Sequence, residues 1–233
     1  MNDIKITNAM ALDPLAGTFQ KREVAVEGQV MAAEPSKEAR LCIDGSGCIV
    51  TPGLIDIHLH LFSYVSAGSV KADLACLPYG VTTAVDAGTS GAPSYPLFHE
   101  TEVRRSVTRV MAYLNIASAG LLSSVCTEDT KPEHIEKDLI QNLFRQYRGE
   151  LVALKLRNSL GIVEKGDETP LRMMTELGEQ LGVPAVAHMT DPAISCEKAA
   201  EILRPGDVFC HMYQAEGDTI LDENGQVKQG IWE

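Results

Sequence analysis

Gly53-Leu54-Ile55-Asp56-Ile57-His58-Leu59-His60 is an apolar run that closes on two histidines. With Thr51-Pro52 before it, the run reads as a strand. Side chains alternate along a strand, so residues at i and i+2 project from one face. His58 and His60 therefore share a face at the strand's C-terminal end. Imidazole nitrogens suit Zn, Fe, Ni and similar ions. One such pair is equally satisfied by two ordinary hydrogen-bonded histidines, so its meaning depends on its surroundings.

Downstream, strand-like runs at 54–61, 81–87, 110–117, 151–157, 184–189 and 207–212 alternate with helix-like segments at 66–79, 94–106, 133–147, 169–181 and 195–203. Lys131-Pro132-Glu133-His134 and Glu168-Thr169-Pro170 place proline and acids where a first helical turn wants them. Strands that alternate with helices form parallel sheets, either doubly wound or closed as a barrel. No GxGxxG or GxxxxGK[ST] occupies a strand–helix turn, so the nucleotide-binding version has no local support. The fold class expected is α/β: a (β/α)8 TIM-like barrel, incomplete at about six βα units, since a closed barrel needs two more. The stretch 217–227 reads as a hairpin, and the sequence reads as cut short. Upstream, 1–50 holds period-two apolar runs broken by Gly, Asp and Pro, and is expected to be a small antiparallel β subdomain. The domain boundaries expected are 1–50 and 51–233.

Three further residues extend the histidine pair. Lys155 interrupts the apolar strand Val152-Ala153-Leu154-Lys155-Leu156. Burying an ammonium is costly and drives its pKa down toward the neutral amine, which can add CO2 and become a carboxylate-like carbamate. A lysine that snorkels or pairs with an acid is the plainer reading. His188 and His211 also fall at strand ends. His58 with His60, Lys155, His188 and His211 thus lie at the ends of strands one, four, five and six, the edge at which such barrels build active sites. Arg157, two residues past Lys155, is a candidate for a substrate carboxylate or for a structural ion pair. Asp86 ends strand two, where it either supports a metal-bound histidine or caps the next turn. His99 and His134 read as surface residues. Cys210, next to His211 in the alternation, is expected to pack outward.

The order HxH, Lys, His, His resembles that of the binuclear amidohydrolases, which include dihydroorotases, hydantoinases and deacetylases. Val50-Thr51-Pro52-Gly53-Leu54-Ile55-Asp56-Ile57-His58-Leu59-His60 is similar to their first-strand signature, and 1–50 to their flanking β-sandwich. Asp86-Ala87-Gly88-Thr89 and Leu154-Lys155-Leu156-Arg157 look most like the amidohydrolase/deacetylase, dihydroorotase-like group. The resemblance implies two divalent metal ions, with zinc the first choice. His58 and His60 would hold one, His188 and His211 the other, and a CO2-derived carbamate on Lys155 would bridge them. It implies hydrolysis of an amide, cyclic amide or acyl ester by a metal-bridging hydroxide. The family's aspartate after the eighth strand has no match here, so the chain by itself is expected to be unstable or inactive. The competing readings are a mononuclear deaminase, which leaves Lys155 without a role, and a non-catalytic fragment that serves as a binding or assembly partner.

Composition bounds the rest. A formal charge of −12 over 233 residues argues against nucleic acid and anionic membranes. The six cysteines are scattered without a CxxC pair, as reduced thiols are. The N-terminus lacks the pattern of a signal peptide, and no apolar run spans a bilayer. A cytoplasmic enzyme acting on a small-molecule substrate is expected, with a homo-oligomer left open.

Overall fold

The computed structural model describes residues 1–122 and 128–232. The chain divides into two units, Met1–Gly53 and Leu54–Glu233. The first carries β1 (Asn2–Thr7), β2 (Met10–Asp13), β3 (Thr18–Lys21), β4 (Val24–Glu27), β5 (Val30–Met31), β6 (Ala39–Asp44) and β7 (Ile49–Val50). They form two small sheets, ordered β5-β4-β1-β6 and β3-β2-β7. The hairpin β2/β3 and the pairs β1/β4 and β4/β5 are antiparallel. The pairs β1/β6 and β2/β7 are parallel, which corrects the all-antiparallel expectation. Period-two alternation reports which face is buried, not the direction of the neighbouring strand.

The second unit carries β8 (Leu54–Leu59), α1 (Ala72–Cys76), β9 (Val81–Asp86), α2 (Tyr95–Thr101), β10 (Arg109–Asn115), α3 (Lys137–Gln146), β11 (Leu151–Arg157), α4 (Thr169–Leu181), β12 (Ala185–His188), α5 (Cys196–Ile202) and β13 (Val208–Cys210). Its six strands form one parallel sheet in sequence order, each paired with the next. A doubly wound sheet reverses its strand order at a switch point. This one never reverses, which is the winding of a barrel. The sheet also curls: the ring of His58 on β8 lies 5.1 Å from that of His211, just past β13. The unit is a half-barrel of six strands.

The helices cover the outer face. Leu154, Leu156, Ala112 and Leu114 are fully buried in one core with Ile140, Leu143 and Phe144 of α3 and Leu171, Met174 and Leu177 of α4. The i, i+3, i+4 spacing on α3 is the apolar stripe of a helix packed on a sheet. Pro170 opens α4, and Gly182, at φ 67°, closes it. The other helical segments are shorter than expected. Pro78 turns the end of the first into a 3₁₀ turn after α1. Pro132–His134 is a separate 3₁₀ turn before α3. Among the described residues, no helix is long and apolar enough to cross a membrane.

β8 differs from the other strands. Leu54, Ile55 and Ile57 are all more than half exposed, whereas Leu154 on β11 is fully buried. Leu154→Ala should therefore cost about 2–5 kcal/mol in urea unfolding. Ile55→Ala, in an equally apolar strand, should stay within about 0.5 kcal/mol.

Candidate metal centre

Register decides which side chains meet inside the half-barrel. Asn115 of β10 pairs with Lys155 of β11, Arg157 with His188 of β12, and His188 with Cys210 of β13. The imidazoles follow. His58 and His60 are 5.9 Å apart between ring centroids, and His188 and His211 are 4.3 Å apart. His211 reaches this cluster because its backbone is left-handed, at φ 63°. For a non-glycine residue that conformation costs on the order of 1–3 kcal/mol and tends to occur at functional sites.

The His-x-His motif is not a simple i, i+2 pair on a regular strand. Asp56 pairs with Ala84, but Leu59 pairs with Asp86, so β8 carries one extra residue around Ile57-His58. Such a bulge re-aims side chains. Asp56 offsets the disruption by accepting the His58 amide at 3.0 Å.

Lys155 is 2% exposed. Its Nζ has no hydrogen-bond partner among the described residues. The lysine therefore does not snorkel, and it forms no hydrogen-bonded pair with an acid among the described residues. Burial holds its pKa below the usual lysine value, against the pull of Cys210, Glu128 and Asp86. Gly88, at φ 86°, lies against its stem: a Cβ there would sit 2.6 Å from Lys155 Cβ and Cγ. Only glycine permits both that backbone and that approach.

The four imidazoles are held neutral. Burial comes first for each, and the Lys155 charge adds to it. His58 is lowered to about 4 and His188 to about 3. His60 and His211 are also lowered. Asp86 orders one of them through an intermediary. Its buried carboxylate accepts the backbone N–H groups of Leu61, Gly88 and Thr89 at 2.8, 3.1 and 2.7 Å, and the Thr89 hydroxyl at 2.7 Å. The Thr89 oxygen lies 2.8 Å from His60 Nδ1. With its own proton given to Asp86, that oxygen accepts from Nδ1–H, leaving Nε2 of His60 as the free donor atom. Asp86 thus both caps the turn and supports a histidine.

Arg157 faces the buried Glu128, with Nε 3.1 Å from Oε2. Glu128 also accepts from Asn115 Nδ2 at 2.8 Å. Glu128 and Asn115 carry no local sequence signal, since only the fold brings them to Arg157. Two expectations need correction. Cys210 is buried inside with Ala153 and Val186, its Sγ 3.4 Å from His58 Nδ1. It faces inward because β13 ends there and His211 turns on its left-handed backbone rather than continuing the alternation. His99 is half-buried, bonded to Glu150 at 2.9 Å and packed on the Tyr147 ring. His134 is exposed and paired with Asp129. Cys42 and Cys48 are exposed free thiols, Cys76 and Cys196 are buried ones, and Cys126 lies outside the described residues.

Four imidazoles with lowered pKa values, beside a buried amine that has no hydrogen-bond partner among the described residues, are a donor set that fits divalent cations. Imidazole must be neutral to ligate. An unpaired polar atom in a dry interior is unusual unless something else completes it.

No family model matches the chain. A deacetylase of Agrobacterium fabrum is 29% identical over 203 residues, covering 86% of this chain and 49% of its own length. The chain spans about half the length of the curated relatives it matches. Among solved structures, a dihydroorotase superposes at a TM-score of 0.84 with 25% identity, over 94% of this chain and 60% of that one. An adenine deaminase does so at 0.85 with 23% identity, over all of this chain and 62% of that one, a likeness of fold. In its relatives and its barrel winding this chain is similar to members of the amidohydrolase superfamily.

Proposed function

We propose that this chain carries the metal centre of a hydrolase that cleaves an amide, cyclic amide or acyl ester of a small molecule. The observation that carries the proposal is the Lys155 amine, buried and without a hydrogen-bond partner, amid four imidazoles kept neutral. In this reading His58 and His60 hold one divalent ion, zinc by preference, and His188 and His211 hold the second. The neutral Lys155 amine would add CO2 at Nζ: a new N–C bond forms as one C–O π bond of CO2 opens, one N–H proton leaves to solvent, and the uncharged amine becomes a carbamate anion. When bound, the ions acidify a water and polarise the substrate carbonyl. The chain's own groups do the positioning. Thr89 and Asp86 fix the His60 ring. Gly88 lets the Lys155 stem pass. Arg157, half-buried and oriented by Glu128, offers its guanidinium to a substrate carboxylate.

A mononuclear deaminase centre would leave Lys155 a buried amine with no function. The relatives' deacetylase names favour acyl-group hydrolysis.

Metal analysis tests the centre. Protein reloaded with zinc in the presence of bicarbonate should hold two equivalents, and fewer when bicarbonate is excluded. Lys155→Ala should hold fewer in both cases. Equal stoichiometry for wild type and Lys155→Ala, with and without bicarbonate, would sink the two-ion reading. Thr89→Val removes the hydroxyl that orients His60 at nearly constant volume. Zinc affinity should fall about 10- to 100-fold, with circular dichroism unchanged. An unaltered dissociation constant would remove Thr89 from the centre.

A further inference from the structure

Cys210 is unused in the two-ion reading, although it lies among the ligands. Its Sγ is 3.4 Å from His58 Nδ1. A donor atom of His58, the Cys210 sulfur and a donor atom of His211 all lie within 4.8 Å of one another. Zinc bonds of about 2.3 Å to sulfur and about 2.0 Å to nitrogen, opened to the tetrahedral angle, separate the two donors by about 3.5 Å. The observed spacing is within a tenth or so of that value. A second observation lies on the same inner face: Lys155 is 98% buried (2% exposed), and among the described residues its amine has no hydrogen-bond partner.

We propose that Cys210 is a metal ligand, forming with His58 and His211 a one-sulfur, two-nitrogen site for a borderline or soft divalent cation such as zinc, cobalt or cadmium. Thiolate selects such ions over magnesium or calcium, which prefer oxygen. On binding, the Cys210 S–H bond breaks, a sulfur–metal bond forms and the proton passes to solvent. The site uses ligands from the first and sixth strands only. It needs neither a carbamate nor His60 or His188, and so goes beyond the two-ion reading. It also implies that a single ion can enter this centre without bicarbonate.

Cobalt(II) titration of the metal-stripped chain without bicarbonate tests it. The expected result is one tightly held equivalent with a sulfur-to-cobalt charge-transfer band in the near ultraviolet. The band should vanish in Cys210→Ser and persist in Lys155→Ala and in the double variant Cys42→Ser/Cys48→Ser, which removes the thiols exposed among the described residues. A band that survives Cys210→Ser, or wild type without one, overturns the proposal. Should Cys210→Ser fail to fold, X-ray absorption of the zinc-loaded Cys42→Ser/Cys48→Ser protein decides. One sulfur at about 2.3 Å supports the site, and a shell of only nitrogen and oxygen overturns it. A wild-type protein without the band but with bicarbonate-dependent stoichiometry removes Cys210 alone. The converse removes the carbamate alone.

Discussion

Lys155 is an amine almost wholly buried, with no hydrogen-bond acceptor meeting it among the described residues. An ammonium in that position would bear the full cost of desolvation. The structure lowers that cost by favouring the neutral form, and the rest of the centre is arranged around this constraint. Gly88 is a glycine because the Lys155 stem passes against it. Glu128 and Asp86 are the nearby carboxylates whose fields act on the lysine, and burial raises the pKa of both above the ordinary carboxylate range. The imidazoles are pushed toward neutrality chiefly by burial, and any positive charge on Lys155 would push them further the same way. The buried amine and the lowered imidazole pKa values thus share one cause, burial, nearly complete at Lys155 and partial at the histidines.

The sheet makes that interior. Because each strand pairs with its successor, the C-terminal ends line up along one edge, and curvature brings the first and sixth ends together at His58 and His211. Irregularities at that edge then do the fine placement. The β8 bulge at Ile57-His58, with the Asp56 side chain taking the His58 amide, sets the first imidazole. The left-handed backbone at His211 sets the last. Both cost regularity, and both occur where a side chain must be aimed rather than merely buried.

Much of this was legible in the residues. The βα alternation, the edge-positioned His58, His60, Lys155, His188 and His211, and the choice between barrel and nucleotide-binding sheet all rest on periodicity and on missing phosphate-loop motifs. Lys155 was legible because a charged residue in an apolar strand breaks a strong pattern. Helix lengths were less so, since Pro78 and Pro132 convert expected turns of helix into 3₁₀ geometry. Parallel pairing of β6 with β1 and of β7 with β2 in the first unit was not legible, because alternation is identical for either direction.

The sequence by itself determined the alternation of strands and helices and the identity of the imidazole and amine groups, since both are local: one is a repeat of periodicities, the other a set of residue types at strand ends, whereas the winding was settled by the strand order of the folded sheet. Only the tertiary structure decided that Cys210 faces inward, that Glu128 and Asn115 engage Arg157, and that Thr89 stands between Asp86 and His60. Each of these depends on a contact between distant segments or on a single irregular backbone angle. Neither leaves a trace in alternation, and each is fixed only when strands register side by side.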